Sequence, residues 1–124
     1  MTFTTYQLVI EVAQPIRIAV GRHGRLDFPA GRYVYTGSAK RNFKARIARH
    51  LRRDKTLRWH IDYLLAAPGV TVVEVICSEA AECALNQATP GALRWPGFGA
   101  SDCRAGCGSH LKYQDASPAS GTAA

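Results

Sequence analysis

The chain has 124 residues, of which 47% are hydrophobic and 20% charged, a composition typical of one globular domain. We expect neither a membrane-spanning helix nor a secretory signal. No apolar run approaches the roughly 20 residues that cross a bilayer, and the N-terminus lacks a basic stretch followed by an apolar core. The expected location is therefore the cytoplasm.

The basic residues are concentrated in one segment. The formal net charge is +7, and ten of the sixteen Lys and Arg residues lie between Arg32 and Arg58, where Asp54 is the only acid. Such a patch attracts polyanions, and nucleic acid is the commonest polyanion that a soluble basic protein meets. A solvated helix face is the alternative, but a solubilising helix more often interleaves acids with its bases.

The first part of the chain predicts strands. Residues 6–12 are rich in side chains that favour strands, and residues 32–36 form a second such run. Between them, residues 16–20 and 25–28 flank a turn that contains two glycines, Gly21 and Gly24. We therefore predict two main strands with an inserted hairpin between them.

The pattern becomes helical at Asn42, which we predict to be an N-cap. Phe43, Ile47 and Leu51 share one face of this first helix. A second helix is predicted over residues 57–66. Its inward-facing side chains are expected to be Leu57, Ile61, Leu64 and Leu65.

A strand over residues 70–77 and a third helix over residues 78–88 complete the predicted elements. Ser78 is the expected N-cap of that helix, and Thr89-Pro90-Gly91 ends it. Residues 93–111 are Gly-rich and predict irregular structure. The order of strand, hairpin, strand, helix, helix, strand, helix favours a small α+β architecture over alternating parallel units.

Several short motifs are more specific than these patterns. Tyr35-Thr36-Gly37-Ser38-Ala39 is followed by Arg46-Ile47-Ala48-Arg49-His50-Leu51, and further strings occupy residues 57–64, 82–83, 96–103 and 109–111. Through these motifs the chain resembles the GIY-YIG nuclease superfamily, and especially its short Uri-type branch. The resemblance implies an α+β fold with a central, mainly antiparallel sheet, flanking helices and an inserted hairpin. We expect this domain over residues 1–113 and a disordered tail over residues 114–124.

Two residues compete for the first tyrosine of the family motif, Tyr6 and Tyr33. Tyr33 lies two residues from Tyr35 on one predicted strand, so both point to the same face of that strand. The two motif tyrosines belong on neighbouring strands, which favours Tyr6 in Thr4-Thr5-Tyr6. This string has a threonine where the motif has glycine, and Thr36 replaces the isoleucine of the second motif.

Phosphodiester cleavage needs an in-line nucleophile, charge neutralisation and a stabilised leaving oxygen. We expect Tyr6 to activate or position the attacking water and Tyr35 to hold that water or a phosphate oxygen. Arg46 offers a planar fork for the scissile phosphate. His50, on the same helix face, assists proton transfer, binds phosphate or simply packs. Because tyrosine is a poor base at neutral pH, the Arg46 cation would have to favour its phenolate.

The resemblance implies that Glu82 binds a divalent metal, and carboxylate oxygen is the donor that Mg²⁺ or Mn²⁺ prefers. Glu79 on the same predicted helix is the competing acid, although first-turn placement already explains it. The superfamily often adds an asparagine after this glutamate. Asn86, Ser101 and Asp102 all stay open for that role.

The predicted DNA-binding residues surround the first helix. They are Lys40, Arg41, Lys44, Arg49, Arg52 and Arg53. Lys and Arg side chains in such a cluster contact phosphates and release counterions. DNA is the expected partner, with RNA as an alternative, and we expect no membrane contact.

The cysteines suggest a second metal. Cys83, Cys103, Cys107 and His110 make a candidate Cys₃His set for a structural Zn²⁺, because thiolate and imidazole are the usual ligands of tetrahedral sites. Buried free cysteines with a substrate-facing histidine are the alternative.

The sequence thus predicts a metal-dependent endonuclease that acts on DNA in repair or processing. A non-catalytic nucleic-acid-binding module and a zinc-stabilised adaptor of a DNA repair enzyme are the alternatives. All five expected reactive residues occur in order, which favours the enzyme.

Overall fold

A four-stranded antiparallel sheet lies at the centre of the fold. The computed structural model describes residues 3–21, 24–39, 41–52, 60–92, 98 and 109–114. The strands are β1 (Thr5–Val12), β2 (Ile16–Ala19), β3 (Arg25–Phe28), β4 (Gly31–Ser38), β5 (Val70–Ser78) and β6 (Leu111–Tyr113). The helices are α1 (Phe43–Leu51), α2 (His60–Leu65) and α3 (Glu82–Ala88). The sheet order is β5-β1-β4-β6, and β2 pairs with β3 in a separate hairpin.

This architecture confirms the predicted fold class. It is α+β, every described strand pair is antiparallel, and the hairpin lies between the two main strands as expected. Among the described residues, no helix is long and apolar enough to cross a bilayer.

One face of the sheet carries the hydrophobic core. Alternate residues of β1, Tyr6, Leu8 and Ile10, are at most 2% exposed and lie opposite Gly37, Tyr35 and Tyr33 of β4. Helix α2 packs on this face through Ile61, Leu64 and Leu65, three of the four side chains predicted to face inward. The fourth, Leu57, lies outside the described residues. Phe43 and Ile47 of α1 also pack against the core.

Helix α3 packs on the opposite face. Leu85 and Ala88 line a groove of about 350 Å³ together with Val9, Val34 and Ile76 of the sheet. Helices α1 and α2 therefore pack on one face of the sheet and α3 on the other. Side chains from the two faces can approach each other at the ends of the strands.

Of the two predicted N-caps, Ser78 is wrong and Asn42 is confirmed. Helix α3 begins at Glu82 with Ala81 at its N-cap, whereas the Ser78 hydroxyl oxygen accepts a hydrogen bond from the Ala80 amide, which forms a turn before the helix. Asn42 does occupy the N-cap of α1, but it is left-handed (φ 53°) and makes no side-chain cap bond. Both residues favour local turns as readily as caps.

Strand β6 was not predicted, because its residues fall in and beside the Gly-rich region expected to be irregular. Leu111 pairs with Tyr35 and Tyr113 with Tyr33, so β6 extends the sheet beyond β4. Lys112 is buried on the other face, where its ammonium donates to the Asn86 and Thr89 carbonyls at the end of α3. A charged side chain that neutralises a helix C-terminus in this way helps to fix α3 on the sheet. Of the tail predicted over residues 114–124, Gln114 is described and its amide donates to the Arg32 carbonyl, and residues 115–124 lie outside the described residues.

Candidate active site

The two tyrosines expected to form the site lie at one end of the sheet. Tyr6 pairs with Gly37 and Leu8 pairs with Tyr35, so Tyr6 and Tyr35 are diagonal neighbours on the same face. Tyr33 pairs with Ile10, further along the sheet. Its hydroxyl donates to the Pro29 carbonyl and its ring packs against Phe28, so Tyr33 serves the core.

Gly37 makes room for the Tyr6 ring. A Cβ built on Gly37 would lie 2.6 Å from the Tyr6 hydroxyl oxygen and 2.7 Å from its Cζ. These separations are below any tolerable contact, and the Tyr6 ring is only 2% exposed, so it has little space to move. The second motif thus needs a glycine at position 37 because the Tyr6 ring lies against the backbone there.

Gly37→Ala should therefore displace the Tyr6 ring, destabilise the fold by about 1–3 kcal/mol and lower any turnover that depends on the Tyr6 hydroxyl. Urea unfolding and a cleavage assay measure the two effects. Gly24→Ala is the control, because Gly24 has positive φ but open space around its Cα. It should cost stability through backbone strain alone. Equal turnover losses in both variants would contradict this role of Gly37.

His50 brings an imidazole to Tyr6. Its Nε2 lies 2.7 Å from the Tyr6 hydroxyl oxygen, and the residue is 2% exposed. The Tyr35 ring meets the same imidazole edge-on, with centroids 6.1 Å apart. The helical spacing predicted that His50 shares a face with Arg46, and the structure adds its contact with Tyr6.

Arg46 lies one turn before His50 on α1. Its Nη1 donates to the Ser38 carbonyl, 3.2 Å away. Its positive charge and a hydrogen bond to the Tyr6 hydroxyl both favour the phenolate. The helix therefore presents an arginine and a histidine to the same tyrosine.

Arg46 does not make Tyr6 a phenolate, which is the condition for Tyr6 to act as a base. Burial raises the pKa of Tyr6 well above its ordinary value, the Glu82 carboxylate raises it further, and Arg46 only partly offsets both. Burial likewise raises the pKa of Tyr35. Both tyrosines are neutral phenols at physiological pH, so each acts as a hydrogen-bond donor and acceptor rather than as a standing base.

Glu82 reaches the same strand end from the other face of the sheet. Its Oε1 accepts from the Ser38 hydroxyl at 2.6 Å, and its Oε2 lies 2.7 Å from His110 Nδ1. Burial opposes ionisation, but hydrogen bonds from His110 and Ser38 and the charges of His110 and Arg46 outweigh it, so the pKa of Glu82 is lowered. Glu82 is a carboxylate at neutral pH.

This carboxylate fits a divalent cation. Its side chain is 28% exposed, so solvent reaches it. Two of its roughly four lone-pair sites accept the Ser38 and His110 donors, which leaves two for a cation. Across the described parts of the chain, no group of three or more His, Cys, Asp or Glu side chains is placed to share a metal. Binding of Mg²⁺ or Mn²⁺ by Glu82, with water in most other positions, stays a prediction.

A family model described as "Domain of unknown function DUF123" matches residues 5–123. The chain belongs to this family. DUF123 is the Uri-type GIY-YIG-like family that the motifs resemble. Searches of the curated proteins and of the solved structures return no match.

Two of the alternatives to the predicted site residues, Glu79 and Asn86, lie in the part of the chain that the structure describes. Glu79 is exposed and precedes α3, so the first-turn role considered for it does not exist. Asn86 is fully buried and its amide donates to the Ser109 carbonyl, which gives it a structural task. Ser101 and Asp102 lie outside the described residues.

The basic residues around α1 of the DUF123 domain divide into two groups. Arg41, Lys44 and Arg52 are exposed. Arg49 instead makes a bidentate pair with Asp62, at 2.9 and 3.0 Å, and the Asp62 side chain is fully buried. Arg49 therefore ties α1 to α2, and phosphate contact by Arg49 stays a prediction. Lys40 and Arg53 lie outside the described residues.

Half of the candidate zinc set can be located. Cys83 Sγ lies 3.9 Å from His110 Nε2, and Cys103 and Cys107 lie outside the described residues. The structural zinc site of this DUF123 protein thus stays a prediction.

Sequence reasoning missed Ser38 and Asp62 as partners of site residues. The position of Ser38 directly after Gly37 of the second tyrosine motif could have indicated that it lies at the site. Nothing in the spacing of Asp62 indicated Arg49, because the two residues lie on different helices.

Proposed function

We propose that this DUF123 protein is a metal-dependent endonuclease that hydrolyses phosphodiester bonds in DNA, acting in the cytoplasm in repair or processing. The main support for this proposal is that three groups lie close together at one end of the sheet. These are the hydrogen-bonded Tyr6 and His50, the Arg46 guanidinium, and the ionised Glu82 carboxylate. Strand β1, helix α1 and helix α3 supply them from distant parts of the sequence.

Each group has a chemical task in this proposal. The Arg46 fork binds the scissile phosphate and stabilises the charge that develops there. Mg²⁺ or Mn²⁺ held by Glu82 would neutralise phosphate charge and stabilise the leaving oxygen. Tyr35, whose hydroxyl stays protonated, orients the attacking water or a phosphate oxygen.

The proton of the attacking water passes through Tyr6. Because Tyr6 is a neutral phenol 2.7 Å from His50 Nε2, its oxygen can accept the water proton while its own proton moves to that nitrogen. The water oxygen then bonds to phosphorus and the bond to the leaving oxygen breaks. Tyr6 remains uncharged throughout, so its raised pKa is no obstacle.

The exposed cations beside the site supply DNA affinity in this proposal. Replacing Arg41, Lys44 and Arg52 together by Gln should weaken DNA binding and flatten its salt dependence, by up to about 0.9 in log–log slope for each lost phosphate contact on duplex DNA. Fluorescence anisotropy at several salt concentrations measures the slope. Arg25→Gln, an exposed change on the hairpin, should leave the slope unchanged.

Arg49 should behave differently from these cations. Arg49→Ala leaves the buried Asp62 carboxylate without its bidentate partner, and such a loss costs about 3–5 kcal/mol of stability. Urea unfolding of Arg49→Ala beside Arg52→Ala tests the contrast. Equal stability of the two variants would overturn the tie between α1 and α2.

A cleavage panel tests the function itself. The purified chain is mixed with single-stranded, duplex, flapped and branched DNA, and with RNA controls, in Mg²⁺, Mn²⁺ or chelator. Cleavage of DNA in a divalent metal and none in chelator is the expected result. DNA binding without cleavage in either metal would instead favour a non-catalytic module.

A further inference from the structure

His110 contacts the proposed metal ligand from a part of the chain that has no role in the proposed chemistry. It immediately precedes β6 and is 3% exposed. Its Nδ1 lies 2.7 Å from Glu82 Oε2, and its Nε2 lies 3.9 Å from Cys83 Sγ. The buried His110 imidazole is thus placed to affect how the Glu82 carboxylate binds a metal.

The surroundings of Nδ1 fix which ring nitrogen carries the proton. Besides Glu82 Oε2, the Thr36 carbonyl oxygen lies 3.2 Å from Nδ1. A carbonyl oxygen can only accept a hydrogen bond, and it lies near the same nitrogen as the carboxylate oxygen. The hydrogen is therefore on Nδ1, and His110 donates to Glu82.

The backbone of His110 is held on both sides. Its amide donates to the Phe98 carbonyl at 2.8 Å, and its carbonyl accepts from the Thr36 amide at 3.0 Å. Asn86 of α3 also donates to the adjacent Ser109 carbonyl. With the main chain fixed between β4 and α3, the ring has a defined position from which to hold the carboxylate.

We propose that His110 is a positioning residue for the divalent cation, because its Nδ1–H orients the Glu82 carboxylate. The inference rests on the proposed function, in which Glu82 is the metal ligand. His110 Nδ1 and the Ser38 hydroxyl each take one lone pair on a different carboxylate oxygen. The carboxylate cannot rotate, and its remaining lone pairs point in fixed directions. Donors of this kind beside a metal ligand typically contribute 10–100-fold to metal affinity.

Substitution of His110 by Asn or by Gln distinguishes the role of Nδ1 from that of Nε2. The Nδ2 of asparagine can occupy the place of Nδ1, whereas the amide of glutamine reaches towards the place of Nε2. His110→Asn should keep Mn²⁺ affinity within about threefold of the wild type. His110→Gln should weaken it by about 10–100-fold. Electron paramagnetic resonance of free Mn²⁺ in titrations of the full chain measures affinity without any cleavage step.

Circular dichroism confirms that each variant is folded. If His110→Gln does not fold, His110→Asn decides the matter alone, because a tenfold loss of Mn²⁺ affinity in folded His110→Asn overturns the proposal. In a Glu82→Ala background, His110→Gln should cause no further loss of affinity. A further loss there would show that His110 acts on the metal by another route and would overturn the proposal.

The Mn²⁺ titrations distinguish failure of the positioning role from failure of the nuclease function. Wild-type affinity for Mn²⁺ in folded His110→Gln overturns the role of His110, even where Glu82→Ala abolishes cleavage. Conversely, a protein that cleaves nothing can still show the asparagine and glutamine contrast in Mn²⁺ binding. That outcome would support the positioning role and reject only the nuclease.

Discussion

Arg46→Ala and Glu82→Ala are each expected to lower metal-dependent DNA cleavage by at least about 10²-fold while the domain stays folded. Both groups act on charge that develops in the transition state, where the loss of one preorganised partner has this magnitude. Arg46→Ala removes the part-buried hydrogen bonds to the Ser38 carbonyl and the Tyr6 hydroxyl, and Glu82→Ala removes those to Ser38 and His110. Neither residue belongs to the hydrophobic core. Single-turnover cleavage with saturating Mn²⁺ is the measurement.

Matched control variants distinguish the loss of a catalytic group from the mere loss of one charge on the protein surface. Arg25→Ala removes an exposed arginine from the hairpin, and Glu79→Ala removes the exposed acid that precedes α3. Both controls should cleave at the wild-type rate. Wild-type turnover in folded Arg46→Ala or Glu82→Ala would show that the active site is elsewhere.

Tyr6→Phe should lower turnover by about 10²-fold or more with little change in DNA affinity. The variant keeps the ring over Gly37 but removes the hydroxyl that lies 2.7 Å from His50 Nε2. Without that oxygen, the proton of the attacking water has no path to the imidazole. Single-turnover rates and anisotropy binding curves separate the two quantities.

Tyr33→Phe is the matched change on the neighbouring strand. It removes the hydrogen bond to the Pro29 carbonyl and should cost about 1 kcal/mol of stability, with turnover close to the wild type. The two variants have the same chemistry and similar burial, so their rates are directly comparable. A large loss for Tyr33→Phe beside near-normal Tyr6→Phe would reverse the assignment of the first motif tyrosine.

The fold could be predicted where the sequence pattern is local. Residues that favour strands identified β1 and β4, and alternation with a Gly-containing turn identified the β2–β3 hairpin. Helical spacing identified α1 and the buried face of α2. The same alternation separated Tyr6 from Tyr33, because a strand fixes which side chains share a face. Helical spacing placed Arg46 and His50 on one face, and the family resemblance assigned Tyr6 to the same site.

Long-range partners could not be predicted in this way. Strand β6 has only three residues, and its pairing depends on β4, which lies far earlier in the chain. The pairing of Arg49 with Asp62 and the two donors on Glu82 likewise join separate elements. The protonation of Tyr6 depends on its burial, which the sequence alone does not reveal. Arg46 lowers the pKa of Tyr6 as expected, but desolvation raises it by more.

Strand β6 has a consequence for the order in which the site can form. Thr36 and His110 are 74 positions apart, and the Thr36 carbonyl lies beside the same Nδ1 that contacts Glu82. A chain emerging from the ribosome exposes Tyr6 first and His110 near the end, and domains form their distant contacts only after both segments are present. The carboxylate of a nascent chain therefore lacks its imidazole partner until almost all of the domain has been synthesised. Fragments that stop before residue 110 carry every proposed catalytic side chain but not the strand that completes their arrangement.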